Sequence, residues 1–543
     1  MSGGRVRFLG EPVFRDRFRS ASAMAELFLP LYRLLGSGGD PRLAINPASG
    51  LNQYGCQSFP CPDTLSFASS TATSISQRAY DRASRARESM MRSAIAVGID
   101  EAFDARIEAM RGELKVHLGL SETGADVVFS PSGTDAQLQA LFLSRARLGS
   151  GLTTIVVAAD QTGSGTSDTA RGRHFSATTA SGTPVAKGQP VTGIGDGVAS
   201  IALALFDENG NGRPQAESDA EVLAAIERSV ANGSNVLLQI MDSSKLGWRA
   251  PSALCLDEIA VRWPDRVQVV VDACQMRLGR PRLRKYLERG YMVIVTGSKF
   301  FTGPPFSGAL LVPACLSETF DVAEVGQGVC EYSSRSDCPM NWPALRSRFP
   351  VRTNFGQWLR WEAALEEIRA YYSVPDEFRM LALARFGEGV ARIIASSPSL
   401  RLLPQQQRPA SDSADDEELA QPTIFPFVLQ RDGRVLSPDD CRKVCRALSR
   451  DAVSAGERRG EPEIAATICL VGQPVVLGQP AQPAVAALRV CAGARLVTGA
   501  WSSEDDKVRG NLWRELGQVG AIVAKIEWLL AHPDAADLTE DRP

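Results

Sequence analysis

Residues 292 to 312 read Met-Val-Ile-Val-Thr-Gly-Ser-Lys-Phe-Phe-Thr-Gly-Pro-Pro-Phe-Ser-Gly-Ala-Leu-Leu-Val. Two apolar runs of strand length flank a hydroxyl-rich turn, and Lys299 stands inside that turn. Runs of this kind, uninterrupted by polar residues, belong to strands buried on both faces. A chain built on them needs a sheet covered by helices on each side. Lys299 is then an ammonium at the mouth of a buried strand, where desolvation lowers its pKa towards the nucleophilic amine that forms Schiff bases with carbonyls. Read alone, the same lysine is more readily a surface residue in a strand-to-strand turn, since charged residues are mostly exposed.

Two further stretches share this grammar. Val267-Gln-Val-Val-Val-Asp-Ala-Cys-Gln275 is a second buried run, ending in Asp272 and Gln275. Val127-Val-Phe-Ser-Pro-Ser-Gly-Thr-Asp-Ala136 is a strand, a small hydroxylic turn and the start of a helix. Free N–H groups and the helix dipole make such a turn an anion seat, with Gly133 allowing close backbone approach and Thr134 adding a hydroxyl. The alternative is a plain helix cap at Ser132. An anion seat, a carboxylate and a lysine at strand ends are the parts a pyridoxal phosphate site requires.

The ordered set Ser132-Gly-Thr134, Asp272-Ala-Cys-Gln275 and Thr296-Gly-Ser-Lys299 resembles the fold type I pyridoxal phosphate enzymes. It is most similar to their class V aminotransferase and cysteine desulfurase-like branch, mainly over residues 64 to 375. The resemblance implies an α/β fold. Its core is a mainly parallel seven-stranded sheet sandwiched by helices, with a smaller α+β domain towards the C-terminus. It implies pyridoxal 5'-phosphate bound to Lys299, Asp272 on the ring nitrogen, Gln275 on the phenolic oxygen, and Ser132, Gly133, Thr134, Thr296 and Ser298 around the phosphate. Thr353, in Pro350-Val-Arg-Thr-Asn-Phe-Gly356, is similar to the threonine that reaches the phosphate of the neighbouring subunit, which implies a homodimer with a shared active site.

The chain also departs from the family pattern. Where the branch has a histidine stacked on the ring after an acid, this chain has Gln161 after Asp160. His174, in a Gly-rich loop, is the other candidate for that side of the site, or else an exposed loop histidine. Ser244 falls where the family touches the phenolic oxygen or the substrate, and Lys245 occupies the place of an acid. Arg489, in Ala-Leu-Arg-Val-Cys, resembles the arginine that grips the substrate carboxylate; otherwise it is an arginine on the outer face of a strand. Thr302 adds a residue before Gly303-Pro304, so the turn after Lys299 is expected to differ.

At 543 residues with a net charge of −3 and no basic run, the chain offers no electrostatic footprint for nucleic acid or anionic membrane. The eleven cysteines are scattered without a histidine-bearing zinc pattern, so no metal site is expected. No signal-like or membrane-length apolar segment is present, which predicts a cytoplasmic protein with reduced thiols. Three regions are expected: an N-terminal arm (1–63), a large cofactor domain (64–370) and a small C-terminal domain (371–543). In the arm, the turn-dense stretch 46–56 reads as a cover with Asn52 and Tyr54 facing substrate, or as a dimer-packing segment. Residues 181–216 read as a peripheral insertion with a hairpin, Asp207 to Arg213 as a turn, and 404–421 as a polar, mobile loop.

Functionally, the resemblance implies a lyase acting at the alpha or beta carbon of an amino acid or amine. Aminotransfer is the alternative, and a non-catalytic cofactor-binding or sulfur-relay protein is the alternative of another class. Cys469, the place to seek a persulfide-forming thiol, lies in an apolar run, where thiols are inert.

Overall fold

A computed structural model of the chain describes residues 21–406, 417–452, 463–478 and 484–537. Residues 407–416, the middle of the expected polar loop, and residues 1–20 of the arm lie outside this set.

Strand β1 (Leu65–Phe67) comes first, followed by β2 (Asp126–Ser130), β3 (Leu152–Val157) and β4 (Val198–Leu203). Next come β5 (Asn235–Met241), β6 (Val267–Asp272), β7 (Met292–Thr296) and β8 (Gly308–Val312). The C-terminal part adds β9 (Leu400–Leu402), β10 (Ile424–Arg431), β11 (Arg434–Val435), β12 (Cys469–Leu477) and β13 (Val485–Cys491).

The larger sheet has seven strands in the order β2-β8-β7-β6-β5-β3-β4. All its pairings are parallel except the two made by β8. Strand residues alternate between two apolar layers. Val269, Val271, Val293 and Val295 pack to one side, and Val270, Met292 and Ile294 to the other. Successive side chains of a strand point to opposite faces, so continuous apolar runs bury both. This is the mainly parallel, helix-covered seven-stranded sheet that the family resemblance implies, and the smaller α+β unit accompanies it.

The expectation for residues 181–216 needs correction, because β4 within that segment is the edge strand of the large sheet. Its Val-Ala-Ser-Ile-Ala-Leu sequence is mostly half-exposed, which is why it lacks the apolar signature of its neighbours. The turn at Asp207 is as expected, its carboxylate accepting the N–H groups of Asn209 and Asn211 at 2.9 and 2.8 Å.

The second sheet runs β1-β12-β13-β10-β11, with β9 on β10. Its first strand comes from residues 65–67 and lies parallel to β12. The helix Phe355–Tyr372 is buried along almost its whole circumference and packs on the helices Gln77–Val97, Ile99–His117 and Ala494–Ala500. Within it, Glu362 accepts hydrogen bonds from Arg82, Arg106 and the Trp358 indole. Buried Arg360 donates to the carbonyls of Leu35 and Gly38, fastening the N-terminal segment to the core. Among the described residues no helix is long and apolar enough to cross a membrane.

Candidate active site

In an open α/β sheet the groups at the carboxyl ends of the parallel strands face one crevice. Here that crevice is a cavity of about 320 Å³, lined also by the second sheet and by the N-terminal segment. The large sheet contributes Met241 from β5, Asp272 from β6 and Thr296 from β7. Gln161 follows β3, and Ser132, Gly133 and Thr134 follow β2. The second sheet contributes Gln473 and Arg489, and the N-terminal segment contributes Arg42 and Tyr54.

Lys299 follows β7 within a tight turn in which the Thr302 N–H returns to the Lys299 carbonyl at 2.8 Å. Burial lowers its pKa, while the Cys274 thiol and Asp272 pull the other way. Asp272 ends β6, almost fully buried, and accepts the Cys274 N–H at 3.1 Å. Gln275 is tied by its amide N–H to the Ser70 carbonyl at 3.0 Å, which leaves its Oε1 buried and without a partner.

The anion seat is the N-terminus of the helix Gly133–Leu148. Its cap is Ser132, whose hydroxyl accepts the Asp135 N–H at 3.2 Å and donates to the Asp135 carboxylate at 2.5 Å. Gly133 is required sterically, since a Cβ there would stand 2.6 Å from the Cys274 Sγ. Burial and the neighbouring Asp40 push the Asp135 carboxyl up to about 7.

Left-handed backbone at residues other than glycine clusters around this crevice. Ala158 (φ 58°) precedes Gln161, Met276 (φ 51°) follows Gln275, and Thr302 and Phe306 (φ 59° and 69°) bracket the turn after Lys299. Each costs about 1–2 kcal/mol, and strain of this kind is held where geometry serves a site. The extra residue Thr302 therefore sits at a non-standard turn.

Several expected residues come together in the cavity: Ser132, Gly133, Thr134, Gln161, Asp272, Gln275, Thr296, Ser298, Lys299, Tyr54 and Arg489. Thr296 donates its hydroxyl to the Cys274 carbonyl at 2.6 Å, so its proton is already engaged. Arg489 is buried and donates to the Gln473 carbonyl at 2.6 Å and to Thr71 Oγ1 at 3.1 Å, while its Nε has no partner.

Other expected residues lie outside the cavity lining. The Ser244 hydroxyl accepts the N–H groups of Leu246 and Trp248 at 3.2 and 3.1 Å, making it a turn former whose flanking residues Ser243 and Lys245 face the cavity instead. His174 pairs with the Tyr332 hydroxyl at 2.7 Å, and burial lowers its pKa. Thr353 is half-buried, away from its own chain's cavity. Asn52 turns inward, its Oδ1 accepting the Tyr54 and Cys56 N–H groups at 2.9 and 3.1 Å.

Arg42 was not anticipated. It is held by Asp40 through two hydrogen bonds of 2.9 and 2.5 Å, lies over the Phe306 ring and reaches Thr134 Oγ1 at 3.4 Å. No local pattern in Gly39-Asp-Pro-Arg42 separates it from an ordinary surface arginine. Lys245 had a signal, namely a basic residue in place of an acid. Its ammonium donates to the Thr162 carbonyl, and burial, Arg489 and Lys299 lower its pKa to about 8.

The residues present fit pyridoxal 5'-phosphate. The N–H groups of Gly133 and Thr134 begin a helix and have no partner of their own there. Gln161 and Gln275 each leave a buried carbonyl oxygen unpartnered beside the crevice. Asp272 and Lys299 line the same cavity.

No protein-family model matches the chain, and no curated protein matches it in sequence. Among solved structures it is similar to the cystine C-S lyase C-DES in complex with its reaction product cysteine persulfide. That similarity has 14% identity and a TM-score of 0.46, over 84% of this chain and 97% of the other. A C-DES mutant with glycine covalently linked to its PLP cofactor gives the same identity and coverage with a TM-score of 0.45. Identity and superposition this low leave the chemistry to this chain's own residues.

Proposed function

We propose that the chain is a pyridoxal 5'-phosphate-dependent enzyme acting at the alpha or beta carbon of an amino acid, with a lyase reaction as its chemistry. The observation that supports this best is the meeting of Lys299, Asp272 and the Gly133–Thr134 helix start around one crevice. The lyase assignment itself rests on the motif resemblance, as does a homodimer in which Thr353 serves the neighbouring subunit.

When bound, the cofactor supplies an aldehyde that condenses with amines and a ring that accepts electrons from the carbon being broken down. Lys299, poised towards its neutral form by burial, is the amine that anchors it. With its amine free, Lys299 would take a proton from the substrate's alpha carbon and return one. Asp272 would keep a proton on the ring nitrogen of the cofactor. Gly133 and Thr134 orient the phosphate, with Ser298 beside them. Gln161 would cover a ring face, and Arg489, whose Nη2 is already engaged by Gln473 and Thr71, would attract the substrate carboxylate by its charge. Cys469 takes no part, because it is fully buried and burial pushes its thiol up to about 11.

The test is reconstitution of the purified full chain with pyridoxal 5'-phosphate. A visible absorbance band that borohydride fixes to the peptide containing Lys299 is expected, and Lys299→Ala must lose it. Identical spectra for the two proteins would sink the reading. With an amino acid panel and no amino acceptor, ammonia with a keto acid marks elimination. Conversion of the cofactor to its amine form marks aminotransfer.

A further inference from the structure

The cavity is lined by more positive charge than the proposed chemistry uses. Its charged lining residues are Arg42, Lys245, Lys299 and Arg489 against Asp272. Arg42 is neutralised by the Asp40 carboxylate. On the reading above, Lys299 is taken by the cofactor and Asp272 by its ring. Arg489 and Lys245 remain, and among the described residues neither is ion-paired with a carboxylate.

These two cations are built into one unit. Arg489 Nη1 donates to the Lys245 main-chain carbonyl at 3.2 Å, so the guanidinium fixes the backbone that carries the ammonium. The Arg489 side chain is seated by Gly472, whose Cβ would stand 2.6 Å from Nε. That Nε is buried and unpartnered. The Lys245 ammonium has three N–H donors, and among the described residues one of them has a hydrogen-bond acceptor, the Thr162 carbonyl.

Two like charges in a part-buried crevice repel each other and are poorly hydrated. An amino acid whose only anion is its α-carboxylate satisfies one of them and leaves the other uncompensated. A second anion on the side chain removes that cost, so the site discriminates through the penalty it imposes on neutral side chains. We infer, on the basis of the proposed function, that the substrate is an amino acid with an acidic side chain, its α-carboxylate on Arg489 and its distal anion on Lys245. Burial and Arg489 also hold the Lys245 pKa near 8, so a bound anion has a protonation equilibrium to pull back towards the ammonium.

Acids without an amine test recognition apart from turnover. Calorimetry on the full chain incubated with pyridoxal 5'-phosphate compares succinate with succinamate, and glutarate with glutaramate. Within each pair only the distal charge differs. The expected result is about tenfold tighter binding of at least one diacid than of its amide partner, the scale of one charge-assisted contact. The pair that shows the preference identifies the side-chain length. Lys245→Met is expected to bring the ratio to about one, and Lys245→Arg to keep it. Equal binding of acid and amide by the wild-type chain overturns the inference without any variant. So does a preference that survives in Lys245→Met. The absorbance of the same samples reports cofactor uptake. A colourless sample with an intact diacid preference counts against the proposed function alone, and a coloured sample without the preference counts against this inference alone.

Discussion

Gly133 offers the sharpest test of how the anion seat is built. A Cβ at this position would stand 2.6 Å from the Cys274 Sγ, about 1 Å inside ordinary van der Waals contact. Its next neighbour, Thr296 Cγ2 at 3.5 Å, is at normal distance. Two effects of Gly133→Ala therefore oppose each other. Alanine favours a helical residue over glycine by roughly 0.5–1 kcal/mol. Overpacking against the half-buried Cys274 thiol, which lines the crevice, costs roughly 1–3 kcal/mol. Except at the lowest end of that range the clash outweighs the helical gain, with a net loss of up to about 2.5 kcal/mol. Cys274→Ala alone opens a small void worth about 1 kcal/mol. In the double variant the alanine methyl occupies the space the sulfur leaves, so both penalties shrink together. Urea denaturation of the four proteins, followed by tryptophan fluorescence, gives the coupling energy. It should favour the double variant by roughly 1–3 kcal/mol. Additive losses, with coupling below about 0.5 kcal/mol, would refute the claim that glycine is needed here to make room for Cys274.

Asp135 predicts a pH dependence. Its folded pKa of about 7 lies above the ordinary 3.8, so the folded chain holds more protons between these values. Its contribution to stability accordingly falls as pH rises from about 4 to about 7 and then levels. Pyridoxal phosphate affinity should weaken as the carboxylate ionises beside the anion seat, and Asp135→Asn should flatten both curves in pH-dependent melting and spectral titration. Glu362→Ala leaves Arg82 and Arg106 without their buried carboxylate. Glu113 remains a partner of both arginines, so the loss should be about 1–3 kcal/mol in urea, still more than removal of an exposed acid.

The large sheet was legible because strands buried on both faces are written as uninterrupted apolar runs, and their carboxyl ends are where polar residues resume. Asp272, Lys299 and Ser132–Thr134 were each ambiguous alone and became readable as a set, because all three stand in order at the ends of such runs. Strand β4 was missed because an edge strand needs no such run. The miss at Ser244 was one of register: a tight turn uses the serine hydroxyl for its own N–H groups and turns the next side chain, Lys245, to the crevice. The Gly-rich loop carrying His174 does not fix where its ring goes, and that ring is engaged by the Tyr332 hydroxyl instead. Arg42 was invisible because a contact between the N-terminal segment and Thr134 spans 92 residues and leaves no local periodicity.

Strand β1 lies parallel to β12, and Ser69 donates its hydroxyl to the Ala492 carbonyl across 423 residues of sequence. A ribosome adding 5–20 residues each second separates those two events by about 20–80 s. During that interval the early segment has no sheet to join. Arg489, one of the last parts of the crevice to be translated, arrives only at the end of it. A nascent chain therefore has no complete pocket with which to hold a small molecule, and any capture of vitamin B6 awaits a nearly finished polypeptide.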